Sequence, residues 1–130
     1  MTKHIKQIIE TDWGLVVVMN DNAILDDSNI LQIITFILDK CKEFRKDAEA
    51  FKLYKVLVDE STITRNISIT KVFEVTELIK KECIGLKMAF IAPHLVNHPD
   101  SGTIDTLSSN RGISVRYFVD RDTALDWLLK

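Results

Sequence analysis

Glycine, proline and cysteine are all scarce in this chain, at four, two and two of 130 residues. So few chain-breakers argue against a collagen-like or low-complexity polypeptide, and two cysteines cannot staple a disulfide-built scaffold. No internal repeat is visible. The longest uncharged apolar run falls far short of the roughly 20 residues that a membrane-spanning helix needs. The opening MTKHIKQIIE has no apolar segment followed by small residues, as a secretory signal would, and the expectation is a cytoplasmic protein with no membrane span. Positive charge is short as well. Lys and Arg total 17 against 19 Asp and Glu, a net charge of −2, so no overall field draws nucleic acid to the protein. A glycine-rich phosphate loop and a G-x-S-x-G elbow are both missing, so the chain reads as cofactor-free and not an enzyme.

What remains is ordinary globular material: 46% hydrophobic and 28% charged, at one domain's length. A chain of this size buries about two-thirds of its unfolded surface and supports a real core. The stretch around which the rest is organised is Lys52 to Ser61, KLYKVLVDES, whose strand-formers end abruptly at Asp59. It reads as a central strand with a charged residue at its carboxyl end, where open α/β sheets place their sites.

Upstream, His4–Ile9 and Leu15–Met19 form a hairpin, the first strand an edge guarded by Lys3 and Lys6. Asp26, Asp27 and Ser28 offer cap oxygens to a helix over about 29–48, whose stripe is Ile30, Ile33, Ile34, Ile37, Cys41 and Phe44. Leu31 and Leu38 widen that stripe, and Phe36 falls outside it. Downstream, a polar connection leads to a second helix over about 69–84. Ser68 is its N-cap, and Ile67 and Val72 occupy the positions of a hydrophobic staple. Its inner stripe is read as Ile69, Val72, Phe73, Thr76, Ile79 and Cys83, leaving Val75 and Leu78 as adjacent apolar groups on the outer side. A strand over 86–92, a short weak helix over about 101–109, a strand over 113–119 and a final helix capped by Asp120 complete the order ββαβαβαβα. The expected fold is α/β: a mixed, mostly parallel five-stranded sheet with an antiparallel N-terminal edge strand and four helices.

Residues that suggest chemistry each have a plainer duty. Cys41 and Cys83 sit on helix stripes as reduced structural thiols. His94 and His98 are four apart, but Pro93 and Pro99 bracket them, which argues for a loop and not a two-ligand helix face. The cluster Asn20, Asp21, Asn22, Asp26, Asp27 lacks the Gly and closing Glu of an EF-hand loop. No metal site is expected.

Three local patterns, NAILDDSNI between the hairpin and the first helix, VLVDES at the central strand's end, and the closing VRYFVDRDTALDWLL, make the chain resemble the SpoIIAA-like branch of the STAS and STAS/SEC14 domains over almost its whole length. The resemblance implies a domain with helices on a mixed sheet, used for protein contacts or apolar-ligand binding and not for catalysis. Anti-sigma-factor antagonists of that superfamily follow this strand with an Asp-Ser-Ser-Gly-type motif, and a Ser at the next helix's start is phosphorylated. Here the stretch reads Asn66, Ile67, Ser68, Ile69, Thr70, so Ser68 is the only hydroxyl near the corresponding place and neither Asp nor Gly flanks it.

The leading expectation is therefore a non-enzymatic interaction or regulatory module, whose partner is another protein or a second copy of itself. The alternative is a carrier of a lipid or other apolar small molecule, with its pocket between the first helix and the sheet and Phe36, Leu31 or Leu38 in the walls. Asp59, Ser68, Val75, Leu78 and Phe36 are the candidate ligand- or partner-binding residues.

Overall fold

A computed structural model describes residues 3–44, 55–82, 86–92 and 114–130. The strands are β1 (Ile5–Glu10), β2 (Gly14–Met19), β3 (Ile24–Asp26), β4 (Lys55–Asp59), β5 (Thr64–Asn66), β6 (Lys87–Ile91) and β7 (Ser114–Phe118). Among the described residues there are three helices, α1 (Ile30–Phe44), α2 (Ile69–Glu82) and α3 (Arg121–Leu128). The main sheet runs β1-β2-β4-β6-β7, antiparallel at β1–β2 and parallel elsewhere. The expected mixed sheet is present, with KLYKVLVDES supplying its central strand.

Close approach at the start of β2 requires a glycine. Gly14 has φ +156°, and a β-carbon there would lie 1.8 Å from the Lys55 carbonyl oxygen on β4. Successive side chains along a strand point to opposite faces, and the two faces are filled differently. Leu15, Val17, Val56, Val58, Met88, Phe90 and Val115 join Ile30, Ile33, Ile34, Ile37, Leu38 and Cys41 of α1 and Ile79 of α2 in the large core. Val16, Leu57, Ala89 and Ile91 meet Ala124 and Leu128 of α3 in a small one, with Trp13, Val18, Phe118, Leu125 and Trp127 packed against it. Among the described residues two helices lie on one face and one short helix on the other.

Three expectations need correction. The segments read as loop before the first helix and as polar connection after the central strand each contain a short strand, and β3 and β5 pair in parallel as a second sheet, Ile24 with Thr64 through Asp26 with Asn66. Three residues are too few for alternation to show in a sequence. The cap reading for the first helix also fails. Asn29 is the residue whose carbonyl receives the Ile33 N–H, while Asp26 folds back to accept the Ser28 N–H at 2.9 Å. Finally, the inner stripe of the second helix is rotated. Ile69 and Phe73 are each 43% exposed, whereas Val75 and Leu78 are half-buried and packed on the large core beside Val72, Thr76 and Ile79. The cause is that α2 leans on both α1 and the sheet, so its buried arc is wider than, and displaced from, the single stripe that periodicity suggests. The fourth helix expected over 101–109 lies outside the described residues, as do Cys83, His94 and His98.

Candidate functional site

Two places collect the residues singled out by sequence. The first is the carboxyl edge of the sheet. Asp59 ends β4 half-buried; its carboxylate accepts the Ser61 N–H at 3.0 Å and the Ser61 hydroxyl at 2.6 Å, and it lies 3.7 Å from the Arg121 guanidinium at the start of α3. Its lone pairs are thus engaged in shaping the turn and anchoring α3. Glu60, the next residue, is only 2% exposed and donates its N–H to the Ile91 carbonyl at 2.9 Å. The sequence reading passed over it, yet the alternation Val56, Val58, Glu60 would have placed it on the core face.

Ser68 lies at the same edge, after β5, and caps α2 as expected: its hydroxyl accepts the Lys71 N–H at 3.2 Å and its carbonyl the Val72 N–H at 3.0 Å. Its own N–H donates to the Asp27 carboxylate at 2.8 Å. That bond, with the Ser68 hydroxyl next in weight, holds the Asp27 carboxyl below the usual carboxylate range. The amino ends of α1 and α2 are thereby tied together. Their carboxyl ends are tied too, by the ion pair of Lys42 with Glu82, which holds the Glu82 carboxyl below its ordinary value. No sequence signal announces either tie, since the partners are 41 and 40 residues apart. Among the described residues no hydrogen bond or ion pair links Asp59 to Ser68.

The second place is the outer surface between the two helices. Leu31 and Thr35 of α1 and Glu74, Glu77, Leu78, Lys80 and Lys81 of α2 line an open groove of about 650 Å³. Leu31 and Leu78 supply its apolar floor, and the charged side chains of α2 run from acidic to basic along its rim. Phe36 is half-buried on the large core with the Lys40 ammonium 5.5 Å from its ring centre, and neither it nor Val75 lines the groove. Beneath the groove, the space enclosed by Ile30, Ile34, Ile67, Val72, Val75, Thr76, Ile79, Phe90, Val115 and Tyr117 amounts to only about 20 Å³, room for a single water. Val72 and Ile67 both face it, as the staple reading required. The Thr76 hydroxyl there donates to the Val72 carbonyl at 3.0 Å.

Cys41 is a buried thiol in the large core. No cluster of three metal-ligating side chains occurs among the described residues, and no described helix is long and apolar enough to cross a membrane.

No family model matches the chain, and no curated protein matches it. Among solved structures it is similar to the crystal structure of an uncharacterized protein from the DUF3478 family with a SpoIIAA-like fold, from Shewanella loihica PV-4. The TM-score is 0.57 at 16% sequence identity, over 95% of this chain and 91% of that one. The SpoIIAA-like fold suspected from the sequence patterns is thus the fold of this chain, and at that identity the likeness concerns fold alone.

Proposed function

We propose that the protein is a non-enzymatic, SpoIIAA-like interaction or regulatory module that reads its partner through the α1–α2 groove. The observation that carries this reading is the groove's anatomy: an apolar floor of Leu31 and Leu78 inside a charged rim, the arrangement of a protein-binding patch. The occupant that fits best is a second copy of this chain. Along α2 the rim is acidic at Glu74 and Glu77 and basic at Lys80 and Lys81. Two copies of α2 crossing antiparallel about a two-fold axis near Leu78 set each acidic half against the other's basic half, the self-complementarity that an isologous dimer requires.

The carrier reading keeps one supporting observation, since about 650 Å³ is a ligand-sized volume. Against it, the cavity found among the described residues between α1, α2 and the sheet holds only one water, and the groove is open to solvent. Native mass spectrometry of protein purified from its own source separates the two. The module reading expects a two-copy species that Leu78→Lys reduces to single copies. A single-copy species carrying an extractable apolar molecule would replace it with the carrier.

A further inference from the structure

On the sheet face away from the groove, beside the carboxyl end of α3, cations gather toward the amino ends of the strands. Lys55 and Lys87 are register partners on β4 and β6, and Arg116 on β7 is the partner of Ala89, two residues along the same face. Lys87 and Arg116 converge on one ring: the Lys87 ammonium lies 4.3 Å from the centre of the Trp127 ring and the Arg116 guanidinium carbon 5.9 Å from it. Lys87 also donates to the Trp127 carbonyl at 2.6 Å, which fixes its ammonium in place. No described carboxylate forms an ion pair with any of the three cations, although five other ion pairs occur among the described residues. In a chain with a net charge of −2, three cations at one spot with no ion pair to a described carboxylate are a local exception.

The neighbourhood is adverse to its own charge. Burial, then the repulsion of Lys55 and of Arg116, pulls the Lys87 ammonium below the usual lysine range. A bound anion would remove that penalty.

We infer that Lys55, Lys87 and Arg116, around Trp127, form a binding site for a phosphate-class dianion. A carboxylate would leave most of the charge uncompensated, whereas a phosphate group brings two charges and enough acceptor oxygens for an arginine fork and two ammonium groups. The group could be a free phosphate compound or a lipid headgroup, because the chemistry that recognises it is the same. The site shares no residue with the α1–α2 groove, so its fate is independent of the module reading.

The test is titration of the ¹⁵N-labelled protein with inorganic phosphate at constant ionic strength, followed by NMR. Shift changes should centre on Lys55, Lys87, Arg116 and the Trp127 indole. Arg116→Gln, at an exposed position that leaves the cores intact, should weaken binding about tenfold, the usual worth of one charge-assisted hydrogen bond. Lys87→Met should weaken it at least as much, and Lys80→Gln/Lys81→Gln on the other face should not change it. Sedimentation with phosphatidate vesicles but not phosphatidylcholine vesicles, abolished by Arg116→Gln, would assign the phosphate to a lipid; phosphate binding without vesicle binding would assign it to a soluble compound. Shifts spread over all surface lysines, no saturable shifts, or undiminished binding by Arg116→Gln would overturn the proposal.

Discussion

The two faces of the sheet are built from the same strands and differ by one residue of register, yet they have become different kinds of surface. On one, α1 and α2, of 15 and 14 residues, bury a large continuous core and are fastened to each other at both ends. On the other, among the described residues, the eight-residue α3 packs a small core, and Lys87 and Arg116 of the strands gather around its own Trp127. The difference teaches that cover decides chemistry. Under the two long helices the central strands present only apolar side chains; under the short helix the same strands present lysine and arginine beside apolar ones.

The largest effects should come from the cores and should be unequal. Ile37→Ala in the large core should cost about 3–4 kcal/mol in chemical denaturation, and Leu128→Ala in the small one about 2–3 kcal/mol, because a short terminal helix can settle into the space it leaves. A larger loss at Leu128 would break the comparison, making α3 as integral to the fold as α1.

Next is Leu78→Lys on the groove floor. Leu78 is half-buried at an open surface, so a lysine stem can lie along the floor and put its ammonium in water. The expected loss is about 1 kcal/mol of monomer stability together with loss of association. A loss of several kcal/mol would mean that the residue is core and not interface. Ser68→Ala, which removes the α2 cap, should cost about 1 kcal/mol and leave α3 untouched.

The smallest effect separates the faces by acid. Asp27 on the two-helix side and Asp120, the α3 cap, both accept backbone N–H bonds, from Ser68 and Thr123, that lower their carboxyl pKa in the folded state. A lowered folded-state value means that the stabilisation is fully present above the ordinary aspartate value of about 3.9 and is lost as pH falls below it toward the folded value. Amide hydrogen exchange should show Thr123 losing protection at a higher pH than Ser68, because α3 has less packing to hold it once its cap is protonated. Asp120→Asn should flatten that acid response in α3 alone.

Much of this was legible in the chain. Apolar runs and alternation mark the main strands, 3.6-residue periodicity marks α1, and Ser68 and Asp120 announce the helix starts that they cap. Illegible parts have physical reasons. The three-residue strands β3 and β5 are held by pairing to each other, not by local pattern, and Asp27 meets Ser68 only because that pairing brings two distant helix starts together. The buried arc of α2 depends on where α1 lies, so periodicity named Ile69 and Phe73 in place of Val75 and Leu78. At the candidate site, sequence pointed to Leu78 and to Leu31 as a pocket wall, but that the two face each other across one groove, with Thr35 beside them, follows from tertiary contact. The converging cations share a face by strand register, which one strand's sequence cannot reveal.

The claim that the α1–α2 face is a self-complementary interaction surface is tested most directly by mixing two charge-reversed variants. Glu74→Lys/Glu77→Lys and Lys80→Glu/Lys81→Glu should each sediment as single copies, because every opposed pair becomes like-charged. Their equimolar mixture should restore a two-copy species by analytical ultracentrifugation, as wild type forms, since the all-basic rim of one variant then faces the all-acidic rim of the other. Wild type sedimenting as a single copy, or a mixture no more associated than either variant alone, would contradict it.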